Sequence, residues 1–132
     1  MILLKIFLWL AALMCLAGLA PLLAPFAVIE DALFYFGMKP PVSTPIFEYA
    51  LRTAAGCFVG LGFFYAKLAT HPSRYGRLVP VGALVLVLVG VTCIAAGFAA
   101  GLPNLWFLCE AAAPVVLGLA IYVTWHATKK RH

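Results

Sequence analysis

Charge is what this sequence has least of: Asp, Glu, Lys and Arg make up 10% of its 132 residues, while 66% are hydrophobic. A soluble domain of that size cannot hide so much apolar surface from water, which excludes a water-soluble globule. Paired cysteines are missing too. Cys15, Cys57, Cys93 and Cys109 each fall in a different apolar stretch with no C-x-x-C, which counts against a thiol-disulfide relay, quinone-coupled disulfide formation and a zinc knuckle. Thiols in apolar helices act as small hydrophobes. There is no nucleophile-base pair, phosphate loop, nucleotide fingerprint or H-E-x-x-H, so no catalytic residue, metal or cofactor is assigned. No internal repeat or low-complexity segment stands out.

What the sequence has in quantity is apolar length. Four stretches, about 2–23, 46–68, 78–100 and 105–125, reach the ~20 residues that cross a bilayer at about 1.5 Å per residue, and nothing is left over for a soluble domain. The expected fold is therefore all-α, an integral membrane four-helix bundle in one domain. The third stretch holds A-L-V-L-V-L-V-L-V-G, whose branched residues favour strands, but a lone strand cannot satisfy its backbone in lipid. The first stretch begins like a signal sequence. Its apolar run is long for one, Pro21 obstructs the A-G-L-A cleavage site, and Met14 before Cys15 is too large for lipoprotein processing, so it is expected to remain as a helix.

Pro21 and Pro25 end or kink that helix, each lacking an amide donor and crowding the carbonyl four residues back. In the connection that follows, Val28, Ile29, Ala32, Leu33 and Phe36 recur at helical spacing while Glu30 and Asp31 face away. This predicts a short interfacial helix with Phe34 and Tyr35 at headgroup level, broken by Gly37, Pro40 and Pro41. It reads either as a lid over an outward cavity or as a plain re-entry loop. The second span starts well, with Thr44 as N-cap and Pro45 at the first helical position.

Basic residues decide orientation. Lys5, Lys67, Arg74, Arg77, Lys129, Lys130 and Arg131 all fall on one side of the four spans, with Lys39 alone on the other. Both termini and the middle loop are expected in the cytoplasm, and the 30–45 connection and the G-L-P-N turn outside. The formal charge of +5 then reports topology and anionic lipid contact, not nucleic acid. His71 and His126 lie near the same surface, too few for a metal site.

The second span carries Glu48 and Arg52 one turn apart, acid before base, the favourable i, i+4 order. A charge well inside the hydrocarbon costs several kcal/mol unless paired or wetted. Arg52 is six residues past Ile46 and Glu110 five past Leu105, so both sit about 8 to 9 Å from the outer ends of their spans. Glu48, Arg52 and Glu110 can thus meet in the outward third. Two readings stand: a structural pair, with Glu48 at the helix dipole and Arg52 snorkelling, or a polar site with Arg52 as an anion-binding fork and Glu110 as a titrating group. Pro114 removes the donor to the Glu110 carbonyl and should kink the last helix there. Tyr49 and Asn104, together with Thr53 and Trp106, border the same mouth.

Below Arg52, Gly56 and Gly60 form G-x-x-x-G, followed by Gly62, and small residues at that spacing allow close helix approach. Internal packing is the favoured use, with Gly90, Gly97 and Gly101 as a complementary surface and a homodimer as the other. Cys93 and Cys109 lie equally far from the G-L-P-N turn and can face each other across it.

The segments E-Y-A-L-R-T-A-A-G-C-F-V-G-L-G and G-L-P-N-L-W-F-L-C-E-A-A-A-P, with the basic short loop between them, resemble the uncharacterised small four-helix bacterial membrane proteins loosely grouped as DoxX-like. The resemblance covers about 48–125 and leaves the first span unmatched. It implies an inner-membrane bundle with Glu48, Arg52, Gly56, Gly60 and Glu110 at patterned positions, and no reaction. Small multidrug exporters carry a glutamate in helix one, absent here; membrane glutathione-type transferases carry R-A-H-x-N in helix two, where Arg52 is followed by T-A-A-G. Three functions stay open: a non-catalytic binding or accessory module holding a lipid-like or small ligand or supporting a partner membrane protein, a proton-coupled transporter using Glu110, and an enzyme acting on lipid or quinone.

Overall fold

The computed structural model describes residues 1–37, 45–100 and 106–129, and of Trp106 and Phe107 the backbone alone. Regular structure among them is all α: α1 (Ile2–Leu16), α2 (Leu19–Leu23), α3 (Phe26–Tyr35), α4 (Pro45–Thr70), α5 (Val79–Ala99) and α6 (Trp106–Lys129). Four spans are long and apolar enough to cross a membrane: Ile2–Leu23, Pro45–Thr70, Val79–Ala99 and Leu108–Lys129. These are the four expected stretches, with the last running further, to Lys129. Thr44, Pro40, Pro41, Gly101, Asn104 and the terminal Lys130 and Arg131 lie outside the described residues.

The chain divides into two compact units. One, residues 12–64, holds the end of α1, α2, α3 and most of α4. Its helix break falls at Ala17–Gly18, four residues before Pro21, because Pro21 crowds the Ala17 carbonyl and cannot donate to it. The Ala20 amide donates to that carbonyl instead, at 3.1 Å, a tighter turn. Ala24, pushed out of helical space by the following proline, is extended at φ −70° and ψ 143°, and Pro25 caps α3.

The interfacial helix forms where the spacing places it, but its packed side differs from the expected one. Phe26, Ile29, Glu30 and Leu33 are half-buried, whereas Val28, Ala32 and Phe36 are exposed. Apolar residues surround α3, so spacing could not choose a face; the stacking of Phe26 on Phe47, edge to face at 6.0 Å, does. Phe34 and Tyr35 project at 75% and 87% exposure, as headgroup-level aromatics would.

α4 packs through small residues. A Cβ at Gly18 would lie 3.2 Å from the Ala55 carbonyl, and one at Gly62 2.7 Å from Leu16 Cγ. At Gly56 and Gly60, expected to serve helix packing, a Cβ meets nothing within 4 Å among the described residues. Small residues lie on two faces of this helix, with Ala55 and Gly62 about 130° round the axis from Gly56 and Gly60 at about 100° per residue.

The second unit, residues 1–11 and 65–132, is centred on the antiparallel pair α5 and α6. Gly90 lets them touch: a Cβ there would collide with Val115 and sit 2.8 Å from the Ala111 carbonyl. Gly118 does the same from the other side, 2.7 Å from the Ala83 carbonyl. Gly90 therefore serves the contact with α6. Pro114 is buried inside α6, between Ala111 and Gly118, which are buried too. The fully buried Tyr65 donates its hydroxyl to the Gly82 carbonyl at 2.7 Å, tying the end of α4 to α5. Outside these contacts the helices are apolar all round, with Ile2, Val116 and Val123 at least 63% exposed. Such surfaces suit lipid and no aqueous solvent.

Candidate functional site

α4 carries five of the sequence-derived site residues. Pro45 opens the helix, and Glu48 falls in its first turn, where the dipole favours an acid. Glu48 is half-buried and engaged with a partner. Arg52, one turn on and about 40° round the axis, is exposed, as is Tyr49 at 73%. Gly56 and Gly60 continue the row beneath Arg52, with Phe63 below them at 65% exposure.

The result is one bare strip on α4. At its upper end stands a guanidinium with a carboxylate one turn above; beneath it runs about 12 Å of helix, from 52 to 60, where two successive turns carry no side chain. The fork can take a carboxylate, phosphate or sulfate in two parallel hydrogen bonds. The glycine turns admit a flat apolar chain against the backbone. α3 stands beside this end of α4, since Phe26 packs on Phe47, the residue before Glu48.

Glu110 belongs to the other unit, on α6, and is exposed. Along its own helix it lies about 28 Å from Lys129, and Arg52 lies about 27 Å from Thr70 along α4. Cys93 and Cys109 are both exposed free thiols. Among the described residues no group of three His, Cys, Asp or Glu is placed to hold a metal. Asn104 lies outside the described residues.

Sequence spacing missed a second polar feature. Loop 71–78, the start of α5 and the end of α6 border a shallow, open cleft of about 570 Å³ lined by the exposed Ser73, Arg74, Arg77 and Lys129 and by Trp125. The sequence groups the basic loop and tail at one membrane surface, facing anionic lipid headgroups, but does not show the contact between them. Their meeting depends on Gly76, where a Cβ would sit 2.6 Å from Trp125 Cη2.

The chain belongs to the family described as a domain of unknown function, DUF4345, which matches residues 3–125 and so includes the first span. No curated protein and no solved structure matches it.

Proposed function

For a membrane protein of this family we propose a non-catalytic role: a binding or accessory module that holds a lipid-like ligand, or another small ligand with an anionic head, on the outward part of α4. Arg52 takes the head, with Glu48 and Tyr49 beside it. The tail lies along Gly56 and Gly60. The observation that carries this reading is the bare glycine strip directly under an exposed arginine. An arginine facing hydrocarbon is costly, and an anionic amphiphile neutralises it while covering the strip.

Glu110 is the third charged group of the outward cluster in this proposal, after Glu48 and Arg52, and a double-mutant cycle decides whether it couples to Arg52. The DoxX-like kinship and a bacterial inner-membrane location belong to the same proposal, supported by the segments that resemble those proteins and by the basic loops.

The test is native mass spectrometry of the full chain extracted with its own lipids. An adduct of one anionic amphiphile per chain is expected, reduced about tenfold in Arg52→Gln, as one lost charged hydrogen-bonding fork of roughly 1.5 kcal/mol implies. Equal adducts in both proteins would remove Arg52 from any binding role. A chain dimer lacking amphiphile would instead assign the strip to a second copy.

A further inference from the structure

We propose that the cleft formed by loop 71–78, the start of α5 and the end of α6 binds a phosphate group, either the headgroup of an anionic phospholipid or free phosphate. It lies within the 1–11 and 65–132 unit and does not rest on the role given to α4. Three cations, Arg74, Arg77 and Lys129, share this cleft of about 570 Å³ with the hydroxyl of Ser73. The stretches that build it, 71–80 and 122–129, contain no Asp or Glu. The single acid of this unit, Glu110, lies about 28 Å along α6 from Lys129. No Asp or Glu side chain in these stretches accompanies the three exposed cations, which leaves them available to an anionic ligand.

The cleft is held open in advance. Pro72 is fully buried, and the amides of Arg74 and Tyr75 both donate to the His71 carbonyl, at 3.1 and 3.2 Å. The Leu78 amide donates to the Tyr75 carbonyl at 2.8 Å, closing the loop into α5. The Arg74 guanidinium carbon lies 5.9 Å from the centre of the Tyr75 ring, which restricts that side chain. Trp125 forms one wall, pressed on the Gly76 backbone.

The ligand class follows from the donors. Two guanidinium forks, an ammonium and a hydroxyl match the several oxygens of a tetrahedral phosphate better than one carboxylate. The first turn of α5 borders the cleft at Pro80, and no side chain caps it, so the helix dipole adds positive potential on the same side. The cleft also sits at the ends of the α4 and α6 spans, where a phospholipid places its phosphate and where a tryptophan prefers to lie.

The test uses the full chain in neutral detergent with Trp9→Phe and Trp106→Phe, which leaves Trp125 as the emitter. Short-chain phosphatidylglycerol, short-chain phosphatidylcholine and inorganic phosphate are titrated separately. Phosphatidylglycerol is expected to shift Trp125 emission saturably, at least tenfold below the concentration needed for phosphatidylcholine. Each Gln replacement among Arg74, Arg77 and Lys129 weakens the response about fivefold. If inorganic phosphate alone competes at the same concentration, the ligand is free phosphate; if it does not, the lipid is the source. Equal responses to both lipids overturn the proposal, as does an unchanged affinity in Lys129→Gln, an exposed helix-end variant that keeps the fold.

Discussion

Gly90 and Gly118 let α5 and α6 meet backbone to backbone, while a Cβ at Gly56 or Gly60 of α4 would meet nothing within 4 Å among the described residues. All four lie in helices, at positions where glycine costs about 1 kcal/mol relative to alanine. In the first pair the cost is offset by close helix contact. In the second pair nothing within the described residues offsets it, and the ligand proposed for α4 would. Helix-packing motifs thus separate into those satisfied within the chain and those left open, and G-x-x-x-G spacing alone does not distinguish them.

The largest effect that sharpens this contrast is expected at the filled pair. Gly90→Ala, whose Cβ meets Val115 and the Ala111 carbonyl, forces the helices apart and should cost about 1 to 3 kcal/mol. Gly118→Ala should cost a similar amount; reversible unfolding in mixed micelles measures both. Next comes Tyr65→Phe, which strands the Gly82 carbonyl and should cost about 1 kcal/mol by the same assay. Smaller still is the interaction energy between Arg52→Ala and Glu110→Ala. At least 0.5 kcal/mol is expected if they share a site, and additivity would separate them. The smallest effect is at Gly56→Ala and Gly60→Ala, within about 0.5 kcal/mol of wild type. A loss there as large as that of Gly90→Ala would break the comparison.

Much of the fold was legible because its causes are local. Span length follows from apolar runs, the Ala17–Gly18 break from Pro21, the extended Ala24 from Pro25, and the start of α4 from Pro45. The packed faces were not legible. α4 carries small residues on two faces about 130° apart, at Ala55 and Gly62 and at Gly56 and Gly60. α3 is apolar nearly all round, so Glu30 lies half-buried where the spacing alone turned it outward. Glu48 and Arg52 could be placed from spacing because i, i+4 geometry is fixed within one helix. Charge alone grouped the basic loop and tail at one surface, but not the cleft between them, because Trp125 reaches Gly76 across about fifty residues of chain and no pattern in either segment encodes that contact.

The central claim is that the strip from Arg52 to Phe63 is covered by an amphiphile. Photocrosslinking in the membrane tests it most directly, with an anionic amphiphile carrying a diazirine midway along its acyl chain and peptide mapping of the products. Labelling concentrated on α4 between Arg52 and Phe63, and lost in Arg52→Gln, is the predicted result. Labels spread evenly over the exposed faces of all four spans, unchanged by that substitution, would contradict it.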